Sequence, residues 1–160
     1  MTAHSVTYNT FNIERTFPGA PARVFSAFAS ANEKASWMNS PDEEPVEEDF
    51  GHLEFDFRVG ERERFEFIDY EALYYDIVQD RRIVYSYEMY ADGARISVSL
   101  ATIEVMKDAG GSALTWTEQG AYLDGLDKPE LREGGRSWLV DNMVGYLETL
   151  DAKDSSNSHR

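Results

Sequence analysis

At 160 residues the chain has the length of one domain, enough to bury a single sizeable core. Fifteen Lys and Arg against thirty Asp and Glu give a formal net charge of -15, a field that repels phosphate backbones and anionic lipid headgroups, so nucleic acid and membrane surfaces are poor partners. There is no cysteine and no apolar run near the roughly 18 residues of a membrane span, which excludes disulfides, thiolate metal sites and a transmembrane helix.

The opening segment MTAHSVTYNT lacks the basic-then-apolar order of a secretory signal, and a cytoplasmic location is the expectation. Residues 7–17 then alternate, with Phe11, Ile13 and Phe17 on one side and Thr10, Asn12, Glu14 and Thr16 on the other, which predicts a half-buried strand. Pro18, Gly19 and Pro21 end it, and Pro21 suits the first turn of a helix carrying Val24, Phe25 and Phe28 at helical spacing. Asn32 is placed to cap a second short helix reaching Trp37 and Met38. The run that follows, Asp42, Glu43, Glu44, Glu47, Glu48 and Asp49 around Pro45, lacks the alternating ligands and glycine of a calcium loop and reads as a solvated acidic loop.

From Leu53 the period is two. Leu53, Phe55, Phe57 and Val59 alternate with Glu54, Asp56 and Arg58, and Gly60 turns the chain into a strand in which Phe65 and Phe67 oppose Arg64 and Glu66. Asp69 begins the turn to a strand expected to bury Leu73, Tyr75 and Ile77; after Arg82 another buries Ile83, Tyr85, Tyr87 and Met89. Asp92-Gly93 and Ala109-Gly110-Gly111 are hairpin signals. Between them Ile96, Val98 and Leu100 share one parity and Ile103 and Val105 the other, which predicts a bend or bulge near Ala101 and Thr102. Leu114, Trp116 and Glu118 line up on the last strand. From about Pro129 to Leu150 a helix carries Leu139, Met143, Tyr146, Leu147 and Leu150 on one face, with Ser137, Asp141 and Glu148 opposite. A one-sided helix and a one-sided curved antiparallel sheet satisfy each other by packing, so the fold class is α+β: a single two-layer domain over 1–150, then a polar tail, 151–160, expected to fray.

In order and spacing, the segments FNIERTFPGAPARVFSAFASANEKASWM, VGERERFEF, DRRIVYSYEM and GRSWLVDNMVGYLE resemble the activator of heat-shock protein 90 ATPase homologue-like family of the START-like (SRPBCC) helix-grip superfamily, over about residues 11–150. The chain departs from that pattern twice. Gly135-Arg136 stands where the family often has Gly-Trp, with Trp138 two positions on, and Gln79-Asp80 stands where the mid-sheet turn usually holds a proline pair. The resemblance implies a curved sheet wrapped around the long C-terminal helix, with a cavity between them roofed by the two short helices. It also implies more than one activity: members of the superfamily bind lipids, sterols or polyketides, some catalyse cyclisation or hydrolysis, and the namesake stimulates a chaperone ATPase. Fold does not choose among these.

Polar side chains in apolar rows narrow the question, because an unpaired buried charge is costly. Arg15 shares the parity of Phe11, Ile13 and Phe17; Glu63 shares that of Phe65 and Phe67; Glu118 shares that of Leu114 and Trp116; and Arg132 and Arg136 project near the centre of the helix's apolar face. Converging at a cavity end, Arg132 or Arg136 would receive a carboxylate or phenolate as a planar fork, with Glu118 or Glu63 as a base. Paired with one another, they would be structural. Tyr75, Tyr85, Tyr87, Trp116 and Tyr146 form an aromatic wall that either orients a ligand or fills the core, while Trp37 and Trp138 read as packing anchors. His4, His52 and His159 have no metal-ligand spacing, although His52 sits just before an inward-alternating strand. No nucleophile, phosphate-loop or dinucleotide motif is present. The leading expectation is non-enzymatic binding, without cofactor or metal, of a small, largely hydrophobic ligand with an acidic head group. The alternatives are a chaperone-linked interaction protein and a cyclase or hydrolase acting in the same cavity, in a chain that is a monomer or a homodimer.

Overall fold

The computed structural model describes residues 4–38, 53–65 and 68–157, in the order β1 (Val6–Phe17), α1 (Pro21–Ala29), α2 (Ala31–Met38), β2 (Leu53–Phe55), β3 (Arg62–Phe65), β4 (Tyr70–Val78), β5 (Arg82–Ala91), β6 (Ala94–Asp108), β7 (Gly111–Leu123) and α3 (Pro129–Asn157). The strands make one seven-stranded antiparallel sheet in the order β1-β7-β6-β5-β4-β3-β2, a meander whose first strand closes onto its last. Alternation does what it should on β1, where Phe11, Ile13 and Phe17 are buried. The inner faces of β6 and β7 contribute Ile103, Val105, Leu114 and Trp116, which form one cluster with Leu139, Val140, Met143 and Leu147 of α3. This is the helix-grip, START-like architecture, with the long helix held against the sheet.

The two short helices close the same core. Pro21 opens α1 at its first position, which suits a residue with no N–H to donate. Phe28 of α1 stands edge-on to Trp37 of α2 at 5.4 Å and lies tilted on Trp116 of β7 at 5.7 Å. Trp37 Nε1 donates to the Ala27 carbonyl at 2.8 Å, so the packing anchor also satisfies its polar atom. Ser30, not Asn32, caps α2: its Oγ accepts from the Glu33 N–H at 3.4 Å, because the helix starts at Ala31.

Two strands depart from the expected parity. On β4 the buried residues are Tyr70, Ala72 and Tyr74, and the register against β5 slips between Tyr74 and Asp76, leaving Tyr75 as the extra residue of a bulge and 56% exposed. On β6 a single inward row, Ser97, Ser99, Ala101, Ile103 and Val105, runs in unbroken register with β7, so there is no bend at Ala101 and Thr102 and Val98 and Leu100 face outward. Serines take inward places there because the sheet end beneath them receives a charged side chain of α3 instead of an apolar one. The irregularity of β5 with β6 falls between Met89 and Tyr90. β2 ends at Phe55, leaving Val59 58% exposed, and α3 continues past Leu150 to Asn157. The expectations for the acidic run 42–49, His52, Glu66, Phe67 and His159 fall outside the described residues. Among the described residues no helix is long and apolar enough to cross a membrane.

Glycine is required where β7 leaves its hairpin. A Cβ on Gly111 would lie 2.2 Å from the Phe17 carbonyl oxygen, whereas one on Gly134, inside α3, would meet nothing within 4 Å. Gly111→Ala must therefore push β1 away from β7 and is expected to cost about 1–3 kcal/mol. Gly134→Ala is expected to stabilise by about 0.5–1 kcal/mol through helix preference. Urea denaturation midpoints of the two variants, moving in opposite directions, check the pair.

Candidate functional site

Among the described residues two carboxylates are fully inside the protein, and each is met by a cation from a helix. Glu63, on β3, is 0% exposed and is paired with Lys34 of α2, itself 4% exposed. Tyr70 donates to Glu63 Oε2 at 2.6 Å and Tyr74 to Oε1 at 3.1 Å, while Lys34 Nζ also donates to the Tyr74 hydroxyl at 2.9 Å. The ammonium is boxed by rings, 5.2 Å from that of Phe55, 5.6 Å from Tyr74 and 5.8 Å from Tyr85. Burial acts against the charged amine and outweighs the attraction of Glu63, so the Lys34 pKa lies below its ordinary value. Burial, reinforced by the Glu63 charge, holds Tyr70 and Tyr74 well above the usual phenol value and keeps both hydroxyls as donors.

The second carboxylate, Glu118 of β7, is 1% exposed and receives Arg136 Nε of α3 at 2.5 Å and Trp116 Nε1 at 3.1 Å, with the Tyr87 hydroxyl on its other oxygen. Arg132, one turn earlier on α3, donates to the Tyr87 hydroxyl at 3.1 Å, to Ser97 Oγ at 2.8 Å and to Asp127 Oδ2 at 2.5 Å. It lies between the rings of Tyr87 and Tyr122, 5.5 and 5.4 Å from their centres, and burial pushes the Tyr122 hydroxyl up to about 12. Arg136 rests across Trp116 at 4.9 Å and Tyr87 at 5.3 Å. Burial works against its charge, but Glu118 and then Tyr87 more than offset this and hold its pKa well above the usual guanidinium value. Both arginines therefore stay charged at any pH the fold survives.

Beside this cluster lies a cavity of about 400 Å³, between the first turns of α3 and the end of the sheet. Phe65, Tyr70, Met89 and Ile96 line it from the sheet side, Met38 from α2, and Arg132, Gly135, Arg136 and Leu139 from α3. Trp138, expected as a packing anchor, stands at its wall 37% exposed. Gly135 leaves open space where a Cβ would project. Among the described residues there is no group of His, Asp and Glu that could hold a metal.

The ten sequence candidates thus divide. Arg132 and Arg136 line the cavity, and Tyr87, Trp116 and Glu118 lie beneath them and hold them. Glu63 and Tyr85 belong to the Lys34 cluster. Arg15 instead ties β1 to α3, with Nε 2.9 Å from Asp141 and a terminal nitrogen 3.1 Å from Ser137 Oγ. Tyr146 donates to Glu33 at 2.8 Å, beside the Arg23–Glu33 ion pair that joins the two short helices. Tyr75 is not in the aromatic wall; the β4 bulge turns it to solvent and gives its place to Tyr74. Sequence reasoning missed Lys34, although Lys34, Trp37 and Met38 share one helical face, and an intruding lysine there was the available signal.

Residues 19–148 match the protein family described as "Activator of Hsp90 ATPase homolog 1-like protein". A protein of known structure from Rhizobium leguminosarum is 34% identical, with a TM-score of 0.84 over 92% of this chain and 99% of its own. One from Rhizobium loti is 40% identical, with a TM-score of 0.78 over 89% of this chain and 99% of its own. At 21% identity, a protein from Chromobacterium violaceum shares the fold, with a TM-score of 0.71 over 88% of this chain and 97% of its own. No functionally curated protein gives a significant match.

Removing one partner of a buried ion pair leaves the other charge uncompensated. Lys34→Met is expected to cost about 3–5 kcal/mol, and adding Glu63→Gln to recover most of it; a double variant no more stable than the single one would refute the pairing. Because the folded pKa of Lys34 is depressed below the unfolded value of about 10.4, the unfolded chain binds the extra proton between the two. Stability from this group accordingly rises with pH across that window and is lost as pH falls through the folded pKa. Urea denaturation as a function of pH should show this component in the parent protein and lose it in the double variant.

Proposed function

The chain belongs to the Activator of Hsp90 ATPase homolog 1-like family, and we propose that within it this protein binds a small, largely apolar molecule in the cavity between α3 and the sheet. The observation that carries the reading is Arg136: a guanidinium only 7% exposed, charged, and set in the wall of an otherwise mostly apolar cavity. A cation in such a place is a liability unless something uses its donors. The volume falls within the roughly 300–1,000 Å³ range of small-molecule sites, and apolar walls with a few convergent polar groups are the usual composition of such sites.

Binding is favoured over turnover by the state of the acids. Glu118 accepts from Arg136, Trp116 and Tyr87, and Glu63 from Lys34, Tyr70 and Tyr74; each is buried and holds a cation and two further donors, which disfavours a role as a base toward a substrate. A second reading, contact with a chaperone, draws on the family description and on the outer sheet face, where Tyr8, Ala121 and Val98 stand in register and Tyr8 is 79% exposed. It predicts a faster ATPase of a purified heat-shock protein 90, lost in Tyr8→Glu; a flat rate at saturating protein rejects it.

Gly135→Phe tests the cavity directly, because Gly135 lines it and a Cβ there would meet nothing within 4 Å. A ligand at a hundred times its Kd stabilises the parent by about 2.7 kcal/mol, roughly 5–10 °C in Tm. The expected outcome is that shift in the parent for at least one bicyclic aromatic ketone or acid, and none in a folded Gly135→Phe. A parent that stays silent, or a shift that survives the filled cavity, sinks the reading.

A further inference from the structure

We infer that the head group received by this cavity is an uncharged hydrogen-bond acceptor, a carbonyl of the ketone, ester or amide type, and not the carboxylate that two nearby arginines first suggest. The inference rests on the cavity being a ligand site and decides what that site selects.

The argument is a count of charges and donors. Arg136 is already neutralised by Glu118 at 2.5 Å and Arg132 by Asp127 at 2.5 Å, and Lys34, farther in, by Glu63. Among the described residues each buried cation has its own anion, so a ligand carboxylate would arrive with no cation left to neutralise it. It would also enter a chain whose formal charge is -15. Glu118 cannot readily release Arg136, since both its oxygens are fixed by Tyr87, Trp116 and Arg136 together. Stripping a carboxylate of water without a net countercharge is unfavourable, whereas a carbonyl brings lone pairs and no charge.

Donors, by contrast, remain. Arg132 spends its terminal nitrogens on Tyr87, Ser97 and Asp127. Arg136 gives Nε to Glu118 and also meets the Tyr87 hydroxyl, with its guanidinium carbon 4.9 Å from the centre of the Trp116 ring and 5.3 Å from that of Tyr87. The guanidinium carries four terminal N–H groups, so donors remain beyond the Tyr87 contact, at the wall of the cavity, for a carbonyl oxygen to accept from. Met38, Met89 and Phe65 supply adaptable apolar surface for the body of the molecule.

Three probes of one size separate the possibilities: 2-acetylnaphthalene, 2-naphthamide and 2-naphthoate, titrated by calorimetry into the full chain at pH 7. The ketone and the amide are expected to bind at least about tenfold more tightly than the acid. In Glu118→Gln, which leaves Arg136 without its counter-charge, the acid should gain about tenfold or more while the ketone changes little. Naphthoate binding to the parent as tightly as the ketone overturns the head-group inference and leaves the cavity reading standing. An acid that gains nothing in a folded Glu118→Gln overturns it as well. Silence from all three probes overturns the cavity reading, and this inference with it.

Discussion

A carboxylate and a guanidinium that have both left water must find each other, and here they do so across the two layers of the fold. Glu118 stands on the sheet and Arg136 on the helix, and their contact admits little freedom in how α3 lies over β7. Everything near it follows. Trp116 and Tyr87 are held by the same carboxylate, Arg132 reaches the Tyr87 hydroxyl from one turn away, and Ser97 faces inward to receive it. The cavity is the space left where this polar seam meets the apolar sheet end.

The Lys34–Glu63 pair repeats the device for the short helix α2. In each case a helix that covers the sheet drives one cation into a sheet carboxylate that also holds two aromatic donors. Burying ion pairs is a poor route to stability, since well-packed apolar residues of the same volume often do as well or better. Its value is directional. Apolar faces slide over one another with little loss, whereas a charge displaced from its partner does not, so the pairs fix register between layers. The ion pairs at the rim, Arg15 with Asp141 and Arg23 with Glu33, are half in water and add little beyond that.

How far the sequence could be read depended on whether hydrophobicity and burial coincided. On β1, β5, β7 and α3 they do, and the rows Phe11-Ile13-Phe17, Ile83-Tyr85-Tyr87 and Leu139-Met143-Leu147 are where periodicity puts them. On β6 they part: two serines lie inside and Val98 and Leu100 outside, because the inner face there meets an arginine. On β4 two parities were equally apolar, and the bulge that decides between them depends on pairing with β5, which no local pattern encodes. The polar candidates were found by looking for charges in apolar rows, a test that works because such charges must be compensated. It identified Glu63, Glu118, Arg132 and Arg136. What it could not supply was who pairs with whom, since partners such as Lys34 and Glu63 come from elements that only the folded chain brings together.

The adjacent glycines Gly134 and Gly135 sit inside α3 between the two arginines, with open space around both. Relative to alanine, each removes roughly 0.8–1.0 kcal/mol of helical preference, so this stretch is among the least stiff of the helix. A local opening of those turns would carry Arg132 and Arg136 away from the sheet together. In the binding reading proposed above, the two arginines that face a guest stand on this stretch, so its residence time would follow the opening of those turns.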